Sequence, residues 1–172
     1  MHWADFAAQT LSQRGNKHII ASGITPSGEF HIGHLREILT GDMVTRACKD
    51  AGMDAEFVFI VDSADPLRKV YPFLSDSYEQ YIGCALATIP APDENGNPGN
   101  DGRSYAEHFL EPFLAALEQI DVRPRIIDNY TSYANGEFAE KSRIACEKAH
   151  EIREIIERVS SRELASDWFP YN

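Results

Sequence analysis

The apolar positions of the first fifty residues are spaced as in a helix, a strand and a second helix. Residues 4–14 carry apolar side chains at helical spacing, which predicts a first helix. Residues 18–22 form an apolar run that predicts a short, mostly buried strand. A second helix is predicted from about His31 or Gly33 to Ala51, because apolar residues recur along one of its faces. Those residues are Leu35, Ile38, Leu39, Met43 and Ala47.

A second apolar run, residues 55–61, shows little alternation, which is typical of a strand covered on both faces. It ends at Asp62. The order of strand, loop, helix and strand predicts the opening of an α/β fold with a Rossmann-like, doubly wound parallel sheet. Ligands of such sheets bind outside the carboxyl ends of the strands. The site is therefore expected around residues 23–34 and Asp62.

The middle of the chain continues the alternation of helices and strands. Residues 75–87 predict a helix, and residues 90–102 are so rich in Gly, Pro and Asn that a loop is expected. Ser104 is expected to cap a further helix, with Glu107 as its capping-box partner. Residues 125–128 predict a third strand, again after a helix.

The last forty residues are mainly helical in pattern. Residues 136–159 predict one long amphipathic helix with many charged side chains. The aromatic segment 166–172 has no terminal cap, and we interpret it as an interrupted end. A chain of 172 residues is expected to form a single domain.

Charge and cysteine content narrow the function classes. The formal net charge is −11, and the cationic residues are scattered, so the chain alone is expected to bind RNA poorly. Its three cysteines lie far apart and predict neither a disulfide framework nor a cysteine-rich metal site. No apolar run approaches the length of a membrane span, and the start does not resemble a signal peptide. We expect a cytoplasmic protein without a membrane anchor.

The segment from Gly23 to His34 contains the groups needed to hold the triphosphate of ATP at a strand-to-helix turn. His31 and His34 are three positions apart on one face of a helical turn, where they can donate to phosphate oxygens near the positive end of the helix. Gly33 leaves room for a base or ribose to approach the backbone. The alternative is that both histidines only cap the helix or satisfy local carbonyl groups.

The string Pro26-Ser-Gly-x-x-His-Ile-Gly-His34 resembles the HIGH motif of class I aminoacyl-tRNA synthetases. Further strings resemble, more narrowly, the class I lysyl-tRNA synthetases, and together they cover nearly the whole chain. These strings are residues 1–5 (Met-His-Trp-Ala-Asp), 22–28 (Ser-Gly-Ile-Thr-Pro-Ser-Gly), 35–37 (Leu-Arg-Glu), 65–73 (Asp-Pro-Leu-Arg-Lys-Val-Tyr-Pro-Phe) and 104–109 (Ser-Tyr-Ala-Glu-His-Phe).

The resemblance implies a lysine–tRNA ligase that activates lysine with ATP to lysyl-adenylate and transfers the lysyl group to tRNA(Lys). ATP is then a substrate, and Mg²⁺ is expected to bind together with it. His31 and His34 take the catalytic role of stabilising the charge on the phosphate. The implied ATP contacts are Pro26, Ser27, Gly28, His31, Gly33 and His34, and the implied lysine contacts are Gly23, Thr25 and Asp62.

Two features bear on the substrate. Similar glutamate enzymes carry an Arg five residues before the Pro, and this chain has Ala21 there, which favours lysine unless Ala21 is only a buried strand residue. Asp62, Asp65, Arg68 and Lys69 form either a functional cluster at the sheet edge or a solvated charged loop, with Asp62 favoured by its position at the strand end.

The sequence also departs from the family it resembles. It contains no KMSKS-like loop and no anticodon-binding part, so residues 1–172 are expected to be the N-terminal part of the catalytic domain, with tRNA bound through other parts. Lysyl enzymes of this class commonly have a metal site of Asp, Cys-His and His. Here Asp101-Gly-Arg103 replaces the Cys-His, and we expect no metal and a packing or surface role for His108.

Two other functions remain open at the level of sequence. One is a different nucleotidyltransferase of the HxGH type with a small acceptor, and the other is a non-catalytic ATP-binding module. Lysine-dependent exchange of pyrophosphate into ATP distinguishes the three functions.

Overall fold

The computed structural model describes residues 2–170, so Met1 of the string 1–5 and Tyr171 and Asn172 of the terminal segment lie outside the described residues. The chain divides into two compact units, one ending at Tyr130 and the other beginning at Thr131. In chain order the elements are α1 (Trp3–Ser12), β1 (Lys17–Ile24), α2 (Ile32–Asp50), β2 (Asp54–Val61), a 3₁₀ helix (Asp76–Tyr81), α3 (Tyr105–Gln119), β3 (Arg125–Asp128), α4 (Asn129–Ala134), α5 (Ala139–Glu147) and α6 (Ala149–Ser160).

The three strands form one parallel sheet in the order β1-β2-β3. The register pairs Ile24 with Val61 and Val61 with Asp128, so all three strands end side by side. The predicted Rossmann-like α/β fold with a parallel sheet is therefore confirmed. Because the strands are parallel, the segments that follow them leave the sheet at the same edge.

One face of the sheet is packed by helices of the first unit. Alternate residues of β2, namely Phe57, Phe59 and Val61, point to this face and pack with Ile38 of α2 and Phe113 of α3. The side chain of Phe59 is fully buried, and burial of one such side chain contributes about 1.5–3 kcal/mol. This apolar cluster fixes α2, and with it the β1–α2 turn, against the sheet.

A second apolar cluster lies under the segment between β2 and α3. It contains the buried side chains of Leu67, Tyr78 and Tyr105, and both phenols have backbone partners. The Tyr105 hydroxyl donates to the carbonyl of Ser27 at 2.8 Å, and the Tyr78 hydroxyl donates to the carbonyl of Pro90 at 2.8 Å. Burial raises the pKa of Tyr78 to about 12, so the phenol keeps its proton and remains a donor.

Strand β1 differs from the prediction of a mostly buried strand. Its residues alternate between exposed and partly exposed up to Ile24, and the side chain of Ile19 is 64% exposed. Among the described residues β1 lies at the outside of the three-strand order. Ile20 packs with the core clusters, whereas Ile19 points to the other face. Apolar composition alone does not distinguish the two positions.

Two predicted helices are interrupted. Within residues 75–87 only the 3₁₀ helix forms, because Gly83 has φ +89° and donates its N–H to the carbonyl of Leu67 instead of to a helix. The predicted helix 136–159 begins later, after Gly136 with φ +75°, and divides into α5 and α6 at Lys148, whose φ −103° and ψ 19° depart from helical values.

No helix among the described residues is long and apolar enough to cross a membrane.

The contact between α2 and β2 gives a stability prediction. A Cβ atom at Gly41 would lie 2.5 Å from Cε2 of the buried Phe57 ring. We expect Gly41→Ala to lower the free energy of unfolding by about 1–3 kcal/mol, because overpacking outweighs the helix propensity of Ala, worth about 0.5–1 kcal/mol. Urea denaturation followed by circular dichroism measures the change. Adding Phe57→Leu should recover part of the loss. A Gly41→Ala protein as stable as the parent would contradict this packing.

Candidate functional site

The turn between β1 and α2 carries three of the residues predicted to bind ATP. Pro26 is fully buried and anchors the turn. The carbonyl of Ser27 accepts the Tyr105 hydroxyl at 2.8 Å, and a Cβ atom at Gly28 would lie 3.5 Å from the ring of Phe73. The turn is therefore held in place by the start of α3 and packs near the segment that precedes this helix.

His31 and His34 form a reciprocal cap at the start of α2. His31 is the N-cap residue, and its Nδ1 accepts the N–H of Gly33 at 3.0 Å. The Nδ1 of His34 accepts the N–H of His31 at 3.1 Å. The two rings stack with their centroids 3.9 Å apart, and Phe30 contacts the His34 ring edge-on. Two imidazoles thus occupy the places that Ser and Glu occupy in the usual capping box.

The cap determines which nitrogen of each ring carries the proton. A neutral imidazole has one donor and one acceptor nitrogen, and since both Nδ1 atoms accept from the backbone, both Nε2 atoms carry hydrogen. Burial, and then the neighbouring His31, lower the pKa of His34, which favours its neutral form. Capping and phosphate binding therefore use different nitrogens, and the two interpretations of these histidines are compatible.

Gly33 lies against the ring of His31, whereas the sequence predicts that it leaves room for a base or ribose. A Cβ atom there would lie 2.7 Å from Cε1 and 2.9 Å from Nδ1 of His31, so the His31 ring fills the space beside it. Gly33 also borders a cavity of about 790 Å³ lined by Trp3, Ile32, Arg36, Leu39, Thr40 and Met43. The glycine thus permits the cap itself, and the cavity lies beside it.

The predicted lysine contacts lie together at the carboxyl edge of the sheet. The Oδ2 of Asp62 would be 3.6 Å from a Cβ atom at Gly23. The Thr25 hydroxyl donates to Oδ2 of Asp65 at 2.7 Å. Burial and the nearby Asp65 raise the pKa of Asp62, while a hydrogen bond from Asn129 opposes the shift. The edge is therefore acidic and partly desolvated, which suits a cationic ligand.

The four charged residues after β2 separate into two pairs. Asp62 and Asp65 lie at the sheet edge with Thr25. Arg68 is exposed and places its Nη2 3.6 Å from Oδ2 of Asp65, and Lys69 lies over the ring of Tyr71. The carboxylates thus belong to the candidate site, and the two cations lie at its outer rim.

Four residues at this edge are not predicted as site residues from the sequence. Asn129 donates its side-chain amide to Oδ1 of Asp62, and the buried Ser63 hydroxyl donates to Asp128. The backbone N–H of Tyr130 donates to the Ser63 oxygen at 3.3 Å. The sequence contains a signal for them, because residues 125–128 predict a strand. Ligands bind at the carboxyl ends of parallel strands, and this applies to the end of that strand as it does to Asp62.

Ala21 is exposed rather than buried, so it is not a core residue of β1. It is two positions before Gly23 and shares its face of the strand. The exposed methyl group places no cation on this face of the strand.

The residues near His108 do not fit the metal site of similar enzymes. Arg103 pairs with Asp101 at 2.7 Å and with Glu111 at 3.6 Å, and the described residues contain no group of three potential metal ligands. The Nδ1 of His108 is buried and has no hydrogen-bond partner within residues 2–170, and its ring packs edge-on against Phe109. A guanidinium between two carboxylates occupies this corner in place of a ligand set.

Comparison with known proteins gives a consistent result. The sequence profile of the family described as tRNA synthetases class I (K) matches residues 1–172. The chain is 45% identical over 172 residues to a lysine–tRNA ligase of Methanosarcina barkeri, covering 100% of this chain and 31% of the relative. It is 44% identical over 171 residues to that of Archaeoglobus fulgidus, covering 99% of this chain and 34% of the relative. The chain thus spans about a third of the length of the curated relatives it matches.

The reciprocal cap predicts how His34 titrates. We expect its pKa to lie below the ordinary value of 6.5 and its proton to lie on Nε2, both measurable by long-range ¹H–¹⁵N NMR. Because the folded pKa is lowered, this histidine stabilises the fold above pH 6.5, and the contribution is lost as the pH falls through the folded pKa.

The matched variant is His31→Asn, which keeps a side-chain acceptor at the N-cap and removes the neighbouring imidazole. It should raise the pKa of His34 while leaving it below 6.5, because burial is the larger cause. A proton on Nδ1 of His34 in the parent protein would show that the cap does not form.

Proposed function

This chain belongs to the class I (K) tRNA synthetases, and we propose that it supplies the ATP-binding half of a lysine–tRNA ligase. The observation that carries the proposal is the reciprocal histidine cap, which presents two Nε2 donors at the start of a 19-residue helix beside an acidic sheet edge. Relatives named lysine–tRNA ligase match the chain over its whole length, which supports lysine as the amino acid.

In the proposed reaction a carboxylate oxygen of lysine attacks the α-phosphorus of ATP. The bond from that phosphorus to the bridging oxygen breaks, pyrophosphate leaves, and lysyl-adenylate forms. A ribose hydroxyl of tRNA(Lys) then takes the lysyl group and AMP leaves. His31 and His34 donate from Nε2 to phosphate oxygens as negative charge shifts during attack, and fixed donors of this kind stabilise a transition state without reorganising.

The remaining ATP contacts follow from the position of the turn. Pro26, Ser27 and Gly28 lie between the strand end and the histidines, where backbone groups can contact the nucleotide. The start of α2 presents the positive end of its dipole to the triphosphate. Mg²⁺ accompanies ATP and offsets part of its charge.

Lysine lies at the carboxyl edge of the sheet in this proposal. Gly23 has no side chain to fill the space beside Asp62, and Thr25 and Asp62 contact the amino acid. Two neighbouring carboxylates, Asp62 and Asp65, attract an ammonium group and repel the side chain of glutamate. The absence of a cation at Ala21 acts in the same direction.

The other parts of the enzyme supply what this chain lacks. A net charge of −11 disfavours direct binding of tRNA, so we assign the binding of tRNA(Lys) to the remaining two thirds of the relatives' length. We assign the KMSKS-like loop, which this chain does not contain, to the same part. The three cysteines are free, which agrees with the reducing cytoplasm, where tRNA is charged.

The histidine assignment is tested with variants that keep the cap. His31→Ser combined with His34→Gln retains a Ser-x-x-Gln capping box but removes both Nε2 donors. We expect ATP affinity to fall at least about tenfold and any lysine-dependent exchange to fall roughly 10²–10³-fold, as for loss of an oxyanion donor. Calorimetry and pyrophosphate–ATP exchange measure the two effects.

The control for lost capping is Ser104→Ala, which removes the N-cap of α3 and costs about 1 kcal/mol of stability. It should leave ATP affinity unchanged. If the cap-preserving double variant binds ATP as tightly as the parent, the two histidines do not contact phosphate.

The amino-acid assignment is tested by exchange with single amino acids. We expect pyrophosphate–ATP exchange to require lysine and to be absent with glutamate, because the sheet edge is acidic. Exchange with a different small acceptor would identify another nucleotidyltransferase of this superfamily. ATP binding without exchange by any acceptor, including after addition of the remaining parts of the enzyme, would identify a non-catalytic nucleotide-binding module.

A further inference from the structure

Asn129 joins two strand ends that sequence reasoning treated separately. It follows β3, Asp62 follows β2, and the register places the last residues of those strands, Val61 and Asp128, side by side. The side-chain amide of Asn129 donates to Oδ1 of Asp62, and both side chains are half-buried. The bond therefore fixes the Asp62 carboxylate in an environment where it has few competing water contacts.

Fixing Oδ1 determines where the other oxygen points. Oδ2 of Asp62 faces Gly23 and would lie 3.6 Å from a Cβ atom at that position. The Thr25 hydroxyl gives its proton to Asp65, so Thr25 offers only lone pairs to a ligand. The two side-chain oxygens at this edge, Oδ2 of Asp62 and the Thr25 hydroxyl oxygen, are thus acceptors, which suits an ammonium group and disfavours a carboxylate.

The same bond affects the charge of Asp62. Burial and Asp65 raise the pKa of Asp62, and the Asn129 hydrogen bond lowers it. The other charged groups near this edge are Asp128 at the end of β3 and Arg68, which pairs with Asp65. The Ser63 hydroxyl donates to Asp128 and not to Asp62. Asn129 is therefore the side chain that both aims Asp62 and favours its ionised form.

We propose that Asn129 is a positioning residue for lysine recognition, whose amide holds Asp62 so that Oδ2 binds an ammonium group of lysine beside Gly23. This inference rests on the proposed function, because it assumes that lysine binds at this edge. It adds a residue that does not touch the substrate and acts through the carboxylate that does.

The test compares how tightly variants of the 172-residue chain bind lysine. NMR titration and calorimetry measure the affinity from pH 4 to 8. Asn129→Asp keeps the shape of the side chain but replaces the donor with an acceptor. We expect it to weaken lysine binding at least about tenfold, equivalent to 1.4 kcal/mol. The loss of lysine binding at low pH should begin at a higher pH, because Asp62 loses its donor and gains a neighbouring carboxylate, and both changes raise its pKa. Asn129→Leu removes the donor without adding a charge and should shift the pH dependence in the same direction, whereas a role in packing alone would leave it in place.

Two further variants keep the result interpretable. Asn100→Asp makes the same substitution at an exposed position of the loop before α3, and it should leave the pH dependence of lysine binding unchanged. The double variant Asp62→Asn with Asn129→Asp keeps an amide–carboxylate pair but moves the carboxylate from the end of β2 to the end of β3. It should restore thermal stability and leave lysine binding weak, whereas restored binding would overturn the positioning role.

Analogues identify which ammonium group is held. Norleucine carries only the α-ammonium group of lysine, and 6-aminohexanoate carries only the side-chain ammonium. If Asn129→Asp weakens the binding of either analogue, the inference is supported, and that analogue identifies the ammonium group. If Asp62→Asn abolishes lysine binding but Asn129→Asp changes neither affinity nor pH profile, the inference is wrong and the proposed function stands. If the chain does not bind lysine, or binds it unchanged after Asp62→Asn, the lysine site and this inference fail together.

Discussion

The parallel pairing of three strands is the constraint on which every candidate contact depends. Because Ile24, Val61 and Asp128 end in register, the residues after them are brought to one edge although they are far apart in sequence. The apolar packing of Phe57 and Phe59 beneath α2 and α3 maintains this alignment. A slip of two residues in either strand pair would move a carboxylate about 7 Å along the sheet, beyond the reach of a hydrogen bond.

The second level of organisation is the start of α2. A helix needs partners for its first N–H groups, and here His31 and His34 supply two of them through Nδ1. The same bonds fix the rings and leave Nε2 to a ligand. The start of α3 completes the arrangement, since Tyr105 holds the turn through Ser27. Local folding and the proposed chemistry thus use the same two side chains without competing for the same atoms.

Much of this could be predicted from residue spacing. The predicted strand at 125–128, the capping box at Ser104 and Glu107, and the parallel α/β order are confirmed, because each depends on local patterns or short-range chemistry. The exposure of β1 and the reduced helix within 75–87 were not predictable in the same way. The exposure depends on which strand lies at the edge of the sheet. The reduced helix depends on a backbone hydrogen bond from Gly83 to Leu67, which is distant in sequence. Asn129 was overlooked because an isolated Asn after a strand resembles an ordinary turn residue.

The histidine cap has a consequence for how this sequence changes over generations. Ser, Thr, Asp or Asn would begin α2 at least as well as His31, and Glu or Gln would replace His34 in the cap. Folding therefore gives no reason to retain an imidazole at either position. A descendant released from nucleotide chemistry is expected to keep the helix and drift to ordinary capping residues. Under the proposed assignment of both imidazoles to phosphate oxygens, the joint presence of His31 and His34, more than the presence of the helix, marks the descendants that still bind a triphosphate.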